Sequence, residues 1–127
     1  MEGILKRNSD PDIRVFAVWE PILPTDFSSP GTLVLSRLSD SRVAQYWDKD
    51  HLFAGELRRK LESDVGQPRP NCCTSRGVEW DEVAVYDRDA HWDAQLPRAV
   101  FLNGPVVNSL GFSNVVTEML SPAASPR

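Results

Sequence analysis

Cysteine is scarce in this chain, and its arrangement says more than its number. The 127 residues include 2 cysteines, Cys72 and Cys73, which are adjacent. No Cys-x-x-Cys occurs, so the motif of thiol–disulfide oxidoreductases is missing. Two cysteines are also too few for the disulfide framework of a small secreted domain. We therefore expect a cytoplasmic protein that keeps both thiols reduced.

Long hydrophobic runs are also lacking. No apolar stretch approaches the roughly 20 residues that a membrane-spanning helix needs. The N-terminal stretch MEGILKRNSD has no apolar core of the kind found in signal peptides. Hydrophobic residues make up 41% of the chain and charged residues 25%, which is typical of a soluble globular protein. The composition predicts no membrane partner.

The chain also lacks an excess of basic residues. The chain has 14 Lys and Arg against 18 Asp and Glu, which gives a net charge of −4. Nucleic-acid binding needs clustered positive charge, so this composition argues against a nucleic acid as partner. The one dense basic run, Arg58-Arg59-Lys60, is better explained as the C-terminal end of a helix, where cations suit the helix dipole.

Hydrophobic patterning predicts a single α/β domain over residues 1–120, followed by a flexible tail at 121–127. Ile13–Trp19 is apolar on both faces after Arg14, which predicts an internal strand. Val78–Tyr86 predicts a neighbouring strand of the same sheet, with a hairpin return at His91-Trp92. A helix is predicted for Ser41–Ser63 from spacings of three, four and seven among its apolar residues, Val43, Tyr46, Trp47, Phe53, Ala54, Leu57 and Leu61.

The segment from Glu20 to Gly31 contains three prolines and predicts a long loop after the first strand. Long ordered loops after a central strand often carry function. Trp19, Glu20 and Asp26 are therefore candidates for a binding loop. The alternative is a connection that is merely stiffened by its prolines.

Three interpretations of Cys72 and Cys73 stay open. They are two loop thiols without a task, a vicinal dithiol that binds a soft metal ion or does thiol chemistry, or a regulatory disulfide. Arg69 and Arg76 lie nearby and could lower a thiol pKa. Two sulfur ligands are too few for a closed structural zinc site, which uses four.

The 2 histidines each stand beside aspartates. Asp50 with His51, and Asp89 with His91, would offer carboxylate and imidazole ligands to a divalent metal if the two segments met in space. The alternative is that one segment interrupts a helix and the other forms a turn, where aspartate is favoured anyway.

Three segments together resemble a group of bacterial thioredoxin-like proteins of uncharacterised function. They are IRVFAVWEPILPTDF, with its Val-Trp-x-Pro strand end, DSRVAQYWDKDHLFAGEL, and GVEWDEVAVYDRDAHWD, with its spaced tryptophans. The resemblance covers about Ile13 to Trp92. It implies a thioredoxin-like sheet with flanking helices, here lacking the first strand and the active-site helix that would carry Cys-x-x-Cys. By position, Pro97 would be the family's cis-proline.

The resemblance also implies a functional expectation. An N-terminally shortened thioredoxin-like domain has an uncovered sheet edge and apolar face, which self-association would cover. We expect a homo-oligomer, by default a dimer, that acts as a non-enzymatic binding or self-assembling protein without a cofactor. The alternative is a thiol protein that uses Cys72 and Cys73 for soft-metal binding or redox chemistry.

Overall fold

Helices and short strands alternate in the computed structural model, which describes residues 1–109 and 111–121. The chain divides into two compact units, Met1–Phe53 and the part that begins at Ala54, and each is described by itself. The mixed α/β class is confirmed. The tail proposed for 121–127 lies outside the described residues except for Ser121. No helix in the described part of the chain is long and apolar enough to cross a membrane.

The first unit is built around two parallel strands. Its elements are helix α1 (Glu2–Arg7), strand β1 (Val15–Trp19), the short helix α2 (Thr32–Leu35), a 3₁₀ turn (Ser36–Leu38) and strand β2 (Val43–Trp47). The strands pair in register from Val15 opposite Val43 to Trp19 opposite Trp47. The predicted strand at Ile13–Trp19 is confirmed over Val15–Trp19.

The helix predicted for Ser41–Ser63 is wrong in its first part. Val43–Trp47 is strand β2, whereas helix α3 covers Leu52–Ser63. Spacings of three and four among Val43, Tyr46 and Trp47 suit a helix, but the same residue types also favour a strand. Pairing with a strand 28 positions earlier, Val15 opposite Val43, decides the outcome.

The second unit contains most of α3 and the remaining elements. These are β3 (Thr74–Ser75), β4 (Val78–Glu79), β5 (Val83–Val85), β6 (Phe101–Asn103), a 3₁₀ turn (Val106–Asn108) and α4 (Phe112–Leu120). Strand β3 pairs with β4, and β5 pairs with β6, both antiparallel.

The single strand predicted for Val78–Tyr86 is therefore wrong. Asp81 adopts a left-handed backbone conformation with φ 52°, which separates β4 from β5. The predicted return at His91-Trp92 is also wrong, since the partner of β5 is Phe101–Asn103. Strand β1 is not internal among the described residues, because its one strand partner there is β2 and Phe16 is 66% exposed.

Buried apolar side chains divide unequally between the units. Of the nine that are buried among the described residues, Leu5 lies in the first unit. The other eight lie in the second: Ala54, Leu57, Leu61, Val83, Leu96, Ala99, Leu102 and Phe112. The hydrophobic core thus belongs to the second unit.

Candidate functional site

One face of the β1–β2 sheet carries an exposed aromatic pair. Side chains alternate along a strand, so Phe16, Val18, Ala44 and Tyr46 share one face, here called the aromatic face. The Phe16 and Tyr46 ring centroids are 6.3 Å apart, and Tyr46 is 55% exposed. Parallel sheets are normally covered on both faces, so this exposure is unusual.

The edges of the same sheet are also open. Within the described residues, β1 and β2 pair with each other and with no further strand. Their sequences, VFAVW and VAQYW, contain no charged residue and no proline. Natural proteins usually protect exposed edges with those residues, so an edge without them is prone to pair with another chain.

Hydrogen bonds connect the opposite face of the sheet to the segment that precedes β2. The Trp19 indole Nε1 donates to Gln45 Oε1 at 3.0 Å. The Gln45 amide Nε2 donates in turn to the carbonyl oxygens of Leu35 at 2.9 Å and Leu38 at 3.2 Å. Trp19, predicted as a binding-loop residue, thus uses its polar atom within the fold.

The carboxyl ends of the two parallel strands bring Glu20 and His51 together. Glu20 follows β1, and Asp48 follows β2, where its backbone N–H donates to the Trp19 carbonyl at 2.8 Å. His51 has a left-handed φ of 56°, and its Nδ1 lies 3.1 Å from Glu20 Oε2. The Glu20 side chain is 10% exposed and that of His51 is 29% exposed. The sequence predicted a role for each residue, but not their pairing.

Burial governs the electrostatics of this pair. Loss of solvent raises the pKa of Glu20, the hydrogen bond from His51 opposes the rise, and the nearby charge of Asp48 adds to it. The Asp48 carboxylate also caps α3, accepting from the backbone N–H of Leu52 at 2.8 Å and Phe53 at 2.7 Å.

The third loop candidate, Asp26, shapes its own turn. Its Oδ2 accepts from the backbone N–H of Ile22 at 2.9 Å and of Leu23 at 2.7 Å. Asp26 therefore organises the proline-containing loop, as aspartate commonly does in turns. A separate role in binding stays a prediction.

The metal hypothesis gains no support. No group of three or more His, Cys, Asp or Glu side chains in residues 1–109 and 111–121 is placed to hold a metal ion. His51 contacts Glu20, and Asp50 is exposed. Asp89 and His91 are exposed residues after β5.

Cys72 and Cys73 are joined in a disulfide, whereas the sequence favoured two reduced thiols. Both residues are partly exposed. The Cys73 carbonyl accepts from the Trp80 backbone N–H at 3.0 Å, and the Asn71 backbone N–H donates to Asn103 Oδ1 at 3.0 Å. Hydrogen bonds thus hold the backbone on both sides of the sulfur atoms.

Gly104 lies directly against the disulfide. A Cβ added to Gly104 would lie 2.7 Å from the Asp81 carbonyl oxygen and 3.1 Å from each of the two Sγ atoms. The sequence analysis did not predict this close approach. Among the described residues, the cis peptide bond is that between Gly104 and Pro105, and the bond before Pro97, where the resemblance placed the cis-proline, is not cis.

Comparisons of the chain with protein-family models, with curated proteins and with solved structures found no match. The resemblance to thioredoxin-like proteins accordingly stays a prediction from the sequence motifs. The geometry therefore offers three places for function: the aromatic face with its open edges, the Glu20–His51 pair and the Cys72–Cys73 loop.

Proposed function

We propose that this chain is a non-enzymatic binding protein that assembles as a homodimer through the β1–β2 sheet. The observation that carries the proposal is the exposed aromatic face on a parallel sheet whose edges are uncharged. The unit that contains the sheet has one buried apolar side chain, Leu5, while Phe16, Leu23, Phe27, Leu33 and Tyr46 are exposed. In this proposal the chain is a thioredoxin-like domain, and the second copy pairs with the free edge of β1.

Strand pairing and apolar burial would act together in such a dimer. Burial of apolar surface contributes about 25 cal/mol per Å², and a standard interface buries roughly 1,600 Å² in total. Phe16, which lies on β1, supplies only part of that area. Pairing of two edges adds backbone hydrogen bonds and brings the two aromatic faces into one continuous surface.

A second copy of the chain is the partner whose strand pairs best with the edge of β1. Two β1 strands related by a two-fold axis pair antiparallel, which places Val15 opposite Trp19 of the second copy and Ala17 opposite itself. No charge repels another in this arrangement, because VFAVW contains none. The result is a four-stranded sheet with the order β2-β1-β1-β2.

Sedimentation and light scattering of three proteins test the interface. The wild type should be a dimer at micromolar concentration, and Phe16→Ser should weaken the dimer at least about tenfold. Phe27→Ser is the matched control, because Phe27 is 86% exposed but lies in the loop after β1. A stable wild-type monomer of 14.2 kDa would overturn the proposal.

A cysteine crosslink tests the strand pairing itself. In a background with Cys72→Ser and Cys73→Ser, Ala17→Cys should form an intermolecular disulfide on mild oxidation, because opposed residues of paired strands lie within disulfide reach. Phe27→Cys in the same background should crosslink much more slowly. A dimer in which Ala17→Cys crosslinks no faster than that control would contradict pairing through β1.

A further inference from the structure

We infer that the Cys72–Cys73 loop, once its disulfide is reduced, binds a thiophilic atom that takes two sulfur ligands. A trivalent arsenical with one organic substituent is an example of such a compound. The site lies in the second unit and is independent of the proposed dimer. The inference rests on the fixed placement of two adjacent sulfur atoms, on the accessibility of the loop and on the shape of its floor.

The loop is organised before any ligand arrives. Asn71 is fixed by Asn103 and Cys73 by Trp80, each through a 3.0 Å hydrogen bond. Immediately after the cysteines, Thr74 Oγ1 donates to Glu79 Oε2 at 2.8 Å, and β3 pairs with β4. A backbone that is already fixed loses little conformational entropy when both sulfur atoms bind one centre.

The surface against which the two sulfur atoms lie is formed by the backbone at Gly104, where there is no side chain. Gly104 brings its Cα close to both sulfur atoms, and the position of a Cβ there would be 3.1 Å from each. The Val106 backbone N–H donates to the Asp81 carbonyl at 3.0 Å, which fixes the segment on which the sulfur atoms lie. Both cysteines remain partly exposed, so a small molecule can reach them from solvent.

The donor set selects the class of ligand. Thiolates prefer soft centres, and a closed zinc site uses four ligands. Within residues 1–109 and 111–121, no third His, Cys, Asp or Glu is placed to complete a metal site. Arsenic that already carries one organic substituent needs two further ligands, and the two adjacent sulfur atoms supply them.

The chemistry has two balanced steps. A trialkylphosphine first reduces the disulfide: phosphorus gains an oxygen atom from water, and the two electrons that it loses and the two protons of that water convert the disulfide into two thiols. Phenylarsine oxide then condenses with both thiols. Two As–S bonds form, the As–O bonding is lost, one water leaves with the two thiol protons, and arsenic stays trivalent.

Mass spectrometry and thiol titration of the full chain test the site. After reduction and removal of the phosphine, the wild type should gain one phenylarsenic group, lose two hydrogens and lose both titratable thiols. The unreduced protein should gain nothing. Circular dichroism first establishes that every variant is folded.

The matched controls are Cys72→Ser and Cys73→Ser, each of which keeps one thiol in the same loop. We expect each to bind the arsenical at least about a hundredfold more weakly than the reduced wild type, because the second As–S bond forms within one molecule. An excess of a small dithiol should remove the arsenical, whereas an excess of a monothiol should not. Phe16→Ser, which weakens only the proposed dimer, should bind the arsenical as the wild type does. Equal affinity of the reduced wild type and the single-serine variants would overturn the inference.

Discussion

The two units of this chain are stabilised in different ways. The second unit has eight buried apolar side chains, including Leu57, Leu102 and Phe112, whereas the first has one, Leu5. Yet the first unit contains the two longest strands among the described residues, both mainly apolar, and Phe16 on one of them is 66% exposed. An apolar sequence therefore does not by itself produce a hydrophobic core. It also indicates where an external partner would contribute most.

In the first unit, where only one apolar side chain is buried, hydrogen bonds and an ion pair of Arg42 connect the elements. The Arg42 guanidinium donates to the carbonyl oxygens of Leu5 at 2.8 Å, Asn8 at 2.6 Å and Asp10 at 3.1 Å. The same group pairs with the Asp40 carboxylate at 2.7 Å. One side chain at the start of β2 therefore fixes the C-terminal end of α1 and the turn that follows it.

The second unit uses its polar groups inside the core. Gln67 is 4% exposed, and its Oε1 accepts from the Ala99 backbone N–H at 3.0 Å. Glu79 is 6% exposed, and its carboxylate contacts Thr74 at 2.8 Å and Arg58 at 3.6 Å. Buried polar groups are tolerated when they are hydrogen-bonded, and here they fix loops to the core.

Truncation of one leucine in each unit should give the largest difference in the free energy of unfolding. Leu102→Ala removes a side chain that is 3% exposed and should reduce the free energy of unfolding by about 2–5 kcal/mol. Leu33→Ala, at a position that is 86% exposed, should change it by less than about 0.5 kcal/mol. Chemical denaturation measures both. Similar losses for the two variants would contradict the assignment of the core to the second unit.

The glycines of the second unit offer a second contrast. Gly104→Ala forces a Cβ to within 2.7 Å of the Asp81 carbonyl, so we expect a loss of about 1–3 kcal/mol. Gly55→Ala in α3 meets no atom within 4 Å and should stabilise the protein by up to about 1 kcal/mol. Thermal unfolding of the two variants should therefore shift in opposite directions. A neutral Gly104→Ala would mean that the disulfide loop is not packed on residue 104.

Local sequence features predicted several elements correctly. Val15–Trp19 is a strand and α3 ends at the predicted Ser63, because β-branched runs and an amphipathic helical face are local signals. Val43–Trp47 was predicted as helix, because its strand state depends on pairing with β1. The break at Asp81 was also missed, and the Asp81 carbonyl accepts a hydrogen bond from the backbone N–H of Val106, which is distant in sequence.

The candidate sites were predictable only in part. Cys72 and Cys73 are conspicuous because they are adjacent, but nothing in the spacing shows that Gly104 approaches them. Glu20 and His51 were both singled out, yet as members of different sites. Their contact follows from the parallel register of β1 and β2, which places the two strand ends side by side.

His51 offers a smaller test of the polar framework in the first unit. His51→Ala removes the hydrogen bond to the buried Glu20 and puts alanine where φ is 56°, so we expect a loss of about 1–2 kcal/mol at neutral pH. His51→Asn should lose less, because asparagine tolerates the left-handed conformation. Denaturation of the two variants separates the contributions of backbone and side chain. Equal losses would mean that the left-handed conformation is unimportant.

The Glu20–His51 pair should also make the stability of the protein depend on pH. Burial raises the pKa of Glu20, so the folded state holds this proton at a higher pH than the unfolded state does. The contribution of Glu20 to stability is therefore fully present below its unfolded pKa and is lost as the pH rises through the raised folded pKa. Without the opposing hydrogen bond, the pKa of Glu20 should rise further in His51→Ala, so this decline should be larger and continue to higher pH. A Glu20→Gln variant, which has no such proton, should lack the decline.

Asp40 should give the smallest effect, and its pH dependence should have the opposite sign. Hydrogen bonds from the Arg42 side chain and backbone lower the pKa of Asp40 from 3.8 to about 2. The stabilisation is thus present above pH 3.8 and is lost as the pH falls toward about 2, because the folded state must then accept a proton that it binds weakly. Asp40→Asn should remove this acid-range loss from the free energy of unfolding, measured by denaturation across that window. Concentrated salt should diminish the difference between the two proteins, since both partners are partly exposed and such pairs are screened. A wild type whose acid-range stability matches that of Asp40→Asn would show that the first unit does not depend on the charge of this pair.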